Sequence, residues 1–489
     1  MPVSRTLLRC LLPITGLLLL APCVSADNSA LQLPEAVNQA LSNAQVPANA
    51  LSLAVIPLEG QGLAQFVNAE QVVNPASTMK LLTTFAALEL LGPDYQWHTE
   101  LLSNAEIRNG ILHGDLIFRS SGDPKLTQER VWLLLRELRA AGVVEVRGDL
   151  VLQPADLRMP ADAVPFRDDG NDQSRPFLVE PDPLLSNLKL FNLSTHAESS
   201  GIRTHLEPAL PEIHIDNQVR KLPPVSNCPW PNIAYNLDDQ NSRATLTLTG
   251  SLHQGCSAQR YFSALDAATY TASLLRVTWH ELGGKITGNN RIGSQPAGAR
   301  RLASNSSPDL VSVVRDINKF SNNTMARQLL LTIGRENRTA ADADDHKAAV
   351  RAIEAWLASK NIQPKGLVID NGSGLSRIER ITARDMALLL EAAWKSPFAA
   401  EFISSMPLAA MDGTMRRRLH NTPLVGEAHV KTGSLRNVRA IAGITRDGNG
   451  KSWAVSAIVN HGAAGSSRRA LDLVLQDVHR RTATDVAIQ

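Results

Sequence analysis

The chain has 489 residues, of which 44% are hydrophobic and 20% charged. That is enough apolar material for a large core and two or three domains, and it excludes wholesale disorder. The formal charge is only +2, so there is no basic footprint for nucleic acid and no polybasic patch for a membrane surface.

The chain opens with a segment that reads as a signal peptide. Arg5 and Arg9 precede a short apolar run over residues 11–20, and Val24-Ser25-Ala26 fits a small-residue cleavage pattern, which predicts removal of residues 1–26. An uncleaved anchor is the competing reading, but the apolar run is short for a bilayer span. Without Arg5 and Arg9, the 49 basic residues become 47, against 47 acidic ones. The mature chain is then neutral, exported to the periplasm, and at most a peripheral neighbour of the membrane. Cys10 and Cys23 leave with the signal, and Cys228 and Cys256 remain. A lone pair in an exported chain reads as one disulfide, closing a loop of about 28 residues and adding roughly 3 kcal/mol by the loop-entropy argument. Metal binding by two cysteines without nearby histidines is disfavoured.

Residues 31–58 read as a helix followed by the apolar strand LSLAVIPL. Residues 74–92 read as a helix with Asn74 as N-cap, Pro75 in the first turn and Gly92-Pro93 as the stop. Its middle, LLTTFAALELL, is apolar on most sides, which predicts a helix buried inside a domain. From about 98 to 265 come short β-like runs with one helix near 126–141, and residues 154–186 are Pro- and Asp-rich and irregular. Helices follow at 266–283, 308–335, 343–359, 382–395 and 398–406. A β-hairpin, 438–445 and 452–460, precedes a C-terminal helix. The reading is one domain (27–97 and 266–489) interrupted by a β-rich insertion (98–265).

Three short motifs carry chemistry. In NPASTMKLL, Ser77 and Lys80 stand three apart, so on a helix they share a face. A desolvated lysine near other cations can lose its proton near neutral pH and serve as a base, and a helix N-terminus offers N–H groups to an oxyanion. Alone the motif is weak: a Ser-x-x-Lys arises about twice by chance in such a chain. It recurs at Ser186 and Lys189. FSNNTM supplies Ser321 and Asn323 at the start of a helical stretch; taken alone they read as an N-cap serine and a loop asparagine. VKTGSL supplies Lys431, Thr432, Gly433 and Ser434, donors for an anionic group on a strand whose glycine allows close approach.

Together and in this order, the three motifs are those of penicillin-binding proteins and serine β-lactamases. Ser77 to Ser321 spans 244 residues and Ser321 to Lys431 spans 110. The first gap is far too long for a compact β-lactamase. The chain resembles the low-molecular-mass class C penicillin-binding proteins of the penicillin-binding protein 4 type, peptidase family S13. These are D-alanyl-D-alanine carboxypeptidases and endopeptidases with domains inserted between the first two motifs. The resemblance covers essentially the whole mature chain, including DNGSGLSR at 370–377 and FISSMPLAAMDGTM at 402–415, and the paired Cys228 and Cys256 fit it.

The resemblance implies an α/β (α+β) β-lactamase/transpeptidase-like fold with a large two-part β-rich insertion. It also implies the roles. Ser77 attacks the carbonyl of the penultimate D-Ala. Lys80 is the base for acylation and again for hydrolysis. Ser321, held with Lys431, relays the proton to the leaving amine. Asn323 binds the substrate amide, Thr432 the terminal carboxylate, and Lys431 adds positive charge. The backbone N–H groups of Ser77 and Ser434 form the oxyanion hole, with Gly433 beside the substrate. Arg377 matches a family arginine at the diaminopimelate end of the stem peptide. The family aspartate expected after the strand GDLVLQ is replaced by Pro154, with Asp156 two further on. Expected partners are peptidoglycan stem peptides and crosslinks, and β-lactams as inhibitors. No metal or cofactor is expected, since His280-Glu281 lacks a second histidine four residues on and no phosphate loop follows a strand. The alternatives are a β-lactamase on the same scaffold, or a silent wall-binding protein.

Overall fold

The computed structural model describes residues 33–60, 62–161, 165–167 and 172–481. The expected signal peptide lies outside the described residues.

Both ends of the described chain build one sheet. Its five antiparallel strands run in the order Gln65–Val67, Leu51–Pro57, Ser452–Asn460, Val438–Arg446, Ala428–Leu435. Leu51–Pro57 and the two strands of the expected hairpin are buried almost throughout, as befits strands covered on both faces. The helices Glu35–Asn43 and Arg468–Arg480 cover one face through Val37, Leu41, Leu471 and Leu475. The other face carries a larger helical layer whose core includes Leu82, Phe85, Ile317, Leu329 and Trp356. At its centre lies Lys80–Leu91, apolar on most sides and buried from Lys80 to Leu88, as expected of a helix inside the domain. Phe85 meets Trp356 and Phe402 with ring centroids 5.1 Å away in each case.

Two helical boundaries differ from expectation, and both differences fall at the serines of the first two motifs. The α-helix begins at Lys80, not at 74 or 75. Before it, Ala76–Met79 form a 3₁₀ turn entered through Ala76 at φ +45°. The N-cap of this turn is Pro75 rather than Asn74; Asn74 lies one residue earlier, where its Oδ1 accepts from the Ala76 N–H at 2.9 Å. The expected helix over 308–335 is two helices, Leu310–Phe320 and Asn323–Glu336. Each has its own cap: Asp309 accepts from the Ser312 N–H, and Asn322 from the Met325 N–H at 3.0 Å. Ser321 is therefore not an N-cap. It is the left-handed link between the helices, at φ +57°.

The insertion leaves at Trp97-His98 and comes back beside its point of departure. The Ser307 N–H donates to the Trp97 carbonyl at 2.8 Å, and the Trp97 N–H to Ser307 Oγ at 3.0 Å. The return thus falls near residue 307 rather than 265. Helix Ala267–Glu281 packs into the insertion core, where Tyr270 and Trp279 join Leu134, Phe191 and Leu246. Strands Asn290–Ile292 and Arg300–Ser306 complete the insertion's five-stranded sheet. Those strands are short and largely exposed, so no apolar alternation marks them in the sequence. The rest of the insertion is β-rich, as expected, and the disulfide Cys228–Cys256 forms within it, with Cα atoms 5.6 Å apart.

Candidate active site

The site lies on the seam between the edge strand Ala428–Leu435 and the helical layer. The sequence makes the seam tight with two glycines. A Cβ on Gly433 would sit 2.8 Å from the Pro75 carbonyl oxygen and 3.1 Å from the Ala76 Cβ. Gly433 thus serves the packing of its strand against the serine turn, where the sequence suggested room for substrate. From the other side comes Gly374, at φ +77°, which only glycine holds without strain. A Cβ there would overlap the Ala76 carbonyl and lie 2.5 Å from the Ser77 nitrogen. The serine turn is clamped between these two backbones, which fits its 3₁₀ geometry.

Lys80 is wholly buried. Its Nζ donates to Ser77 Oγ at 3.1 Å, to Asn323 Oδ1 at 2.6 Å, and to the Ser373 carbonyl. Burial pushes its pKa well below the usual lysine value; Lys431 and Arg327 push the same way, and Glu379 opposes them. Asn323 is fixed in turn: its Nδ2 donates to the Phe177 carbonyl at 3.0 Å.

Lys431 is the second buried lysine. Its Nζ donates to Ser321 Oγ at 2.8 Å and to its own strand at the Thr432 carbonyl. Burial alone lowers its pKa to about 7. Ser77 and Ser321 are both half-buried, so each hydroxyl faces a buried amine on one side and open space on the other. Thr432 Oγ1 meets Thr414 Oγ1 at 2.8 Å. Ser434 lies exposed further along the strand.

Arg377 stands at the rim. Its Nη1 donates to Asn437 Oδ1 at 2.6 Å, and its guanidinium lies 5.8 Å from the ring centroid of Phe166. Phe166 and Leu178, from the irregular stretch of the insertion, pack with Ala76, Leu375, Leu435 and Val438. That stretch docks along the first turns of Asn323–Glu336. Thr324 Oγ1 donates to the Val179 carbonyl at 2.8 Å, and Arg327 pairs with Glu180. Asp156 lies elsewhere, exposed and paired with Arg338 at 3.3 Å. The insertion therefore reaches the rim of the site through Phe166 and Leu178, and Asp156 is engaged with another partner.

The structure thus brings Ser77, Lys80, Asn323, Ser321, Lys431 and Thr432 together. It separates the second Ser-x-x-Lys: Ser186 bonds Thr271 and Lys189 bonds the Leu265 carbonyl. Three contributors were not legible as such. Thr414 lies in AAMDGTM; Gly374 and Glu379 lie in or just beyond DNGSGLSR. Glu379 is fully buried, and burial raises its carboxyl pKa to about 7.

The group that hydrogen-bonds Ser77 is a buried lysine rather than a histidine, and a Lys-Thr-Gly strand runs beside it. That combination is the one used by penicillin-recognising serine hydrolases. A model of the D-Ala-D-Ala carboxypeptidase 3 (S13) family matches residues 33–478, and the chain belongs to that family. It is 27% identical over 410 residues to the D-alanyl-D-alanine carboxypeptidase DacB of Haemophilus influenzae, covering 80% of this chain and 81% of the relative. It is 28% identical to the D-alanyl-D-alanine carboxypeptidase of an Actinomadura species, covering 83% and 76%. Its fold is that of the crystal structure of penicillin-binding protein 4 (dacB) from Haemophilus influenzae. The TM-score is 0.74 with 24% identity, and 91% of this chain and 99% of that one are covered.

Proposed function

We propose that this protein is an exported serine D,D-peptidase that removes the terminal D-Ala from peptidoglycan stem peptides and opens D-Ala crosslinks. The observation that carries the reading is Lys80, buried and held at once by Ser77, Asn323 and the Ser373 carbonyl. A lysine in that position spends part of its time neutral, and a neutral amine 3.1 Å from a hydroxyl is a general base.

In this reading Ser77 Oγ attacks the carbonyl of the penultimate D-Ala while Lys80 takes its proton. The oxyanion is met by the N–H groups of Ser77 and Ser434. Ser321, hydrogen-bonded to Lys431, relays the proton that Lys80 took from Ser77 to the leaving amine, so that D-Ala or the second peptide departs and Lys80 is neutral again. Water, deprotonated by Lys80, then hydrolyses the ester. Thr432 and Lys431 hold the carboxylate next to the scissile bond, Asn323 holds the acyl-side amide, and Arg377 receives the far end of the stem peptide. β-Lactams enter the same path and stop at the ester.

The test is D-Ala release from a pentapeptide ending in D-Ala-D-Ala, beside cleavage of a purified crosslinked muropeptide. Release or cleavage that disappears in Ser77→Ala supports the reading. A folded protein with neither activity contradicts it.

A further inference from the structure

Glu379 is a carboxylate the mechanism does not use, yet it is fully buried. Its Oε1 accepts two backbone N–H groups, from Asn371 at 3.0 Å and Gly372 at 2.7 Å. Its Oε2 is buried with no hydrogen-bond partner among the described residues. An orphan buried carboxylate oxygen is costly, so its retention calls for an explanation.

The loop it grips supports the site. The Ser373 carbonyl accepts from Lys80 Nζ, and the Gly372 carbonyl accepts from Thr83 Oγ1 at 2.7 Å, one turn along the same helix. Gly374 presses on the backbone of Ala76 and Ser77. The Ser376 carbonyl accepts from Asn74 Nδ2 at 2.8 Å, just before the serine turn. Four supports of the nucleophile and its base therefore hang from one loop, and Glu379 fastens the start of that loop.

We propose that Glu379 is a positioning residue for the reaction: through the 371–376 loop it holds Lys80 and the serine turn in register. This rests on the reading of Lys80 as the base. The charged groups around the pair are Asp370 on the same loop, Lys431 on the edge strand and Arg327 on helix Asn323–Glu336. Lys431 and Arg327 favour neutral Lys80, and Glu379 is the one group of these that favours its ammonium. Its own carboxyl ionises near pH 7, so above that pH its charge resists release of the Lys80 proton.

The test measures the second-order rate of acylation by benzylpenicillin against pH, with folding checked by thermal melting. Glu379→Gln keeps an acceptor for the two N–H groups and removes the charge. The acid limb of its profile is expected to move down by about one pH unit or more. Glu379→Asp keeps the charge and shortens the reach. Its limb is expected to stay in place while the rate falls about tenfold or more, because the base is misplaced. A folded Glu379→Gln with an unmoved limb overturns the electrostatic coupling. A folded Glu379→Asp at the wild-type rate overturns the positioning, and it decides the case if the glutamine variant does not fold. A wild type that is not acylated at any pH overturns the base reading itself.

Discussion

Lys80 and Asn323 stand 243 residues apart in the chain and meet at 2.6 Å in the fold. That contact ties the serine helix to the first turn of the helix after Ser321. The same asparagine also reaches the insertion through the Phe177 carbonyl. Asn323→Ala would remove both bonds, leaving Lys80 held only by Ser77 and the Ser373 carbonyl and the Phe177 carbonyl without this donor. The expected result is a fall of about 10²-fold in benzylpenicillin acylation rate, with the protein destabilised by about 1–3 kcal/mol. Stopped-flow acylation and urea unfolding check the two parts separately.

Lys431 gives a pH signature in stability. Its pKa is about 7 in the folded state against 10.5 for the free side chain. Between those values the unfolded chain holds the extra proton, so stability rises with pH through that window. Below about pH 7 the folded state carries the buried charge and its full cost. Lys431→Met removes the group. The variant is expected to be inactive and to melt higher than wild type at pH 6–7, by about 2–4 °C. The difference should shrink towards pH 10. A melting difference that stays flat with pH would count against the buried, depressed lysine.

Gly374 is where backbone and chemistry meet most closely. Gly374→Ala must move either the loop or the serine turn, because the new Cβ overlaps the Ala76 carbonyl, and it must also hold φ +77°. A loss of about 2–4 kcal/mol is expected, and acylation should fall even in the folded fraction. Gly283→Ala is the control. Its φ is +74°, but a Cβ there meets nothing within 4 Å, so it should cost only the conformational part, about 1 kcal/mol, and leave acylation intact.

Much of this site was legible because its three motifs are short, local and chemically distinctive. The buried serine helix and the paired central strands followed from apolar runs that tertiary packing preserved. What the sequence hid depended on contacts across the fold. The run over 308–335 reads as one helix although Ser321 also reads as an N-cap; in the fold the chain breaks there and the second cap is Asn322 instead. Gly374 reads as one more turn glycine until Ala76 arrives against it. Glu379, between Ile378 and Arg380, carries no local mark of the burial the fold gives it. The insertion's return at 307 was hidden because its last strands are exposed and carry no alternation.

Thr414 places a second hydroxyl 2.8 Å from that of Thr432. Its 3₁₀ turn is held by Gly413, where a Cβ would lie 2.6 Å from the Lys319 carbonyl oxygen, and by the Asp412–Lys319 ion pair. A substrate carboxylate on Thr432 falls within reach of both hydroxyls. Thr414→Val is expected to lower kcat/KM for a D-Ala-D-Ala peptide about tenfold, the worth of one hydrogen bond to a charged group. A peptide amidated at its C-terminus should show no such difference between variant and wild type.

The most direct test of the central claim is the intact mass of the purified protein after brief exposure to benzylpenicillin, beside Ser77→Ala. The account predicts one persistent adduct of the drug's full mass on the wild type, located to the peptide containing Ser77, and none on the variant. An unmodified wild type with the drug intact, or an adduct that survives in Ser77→Ala, would contradict it.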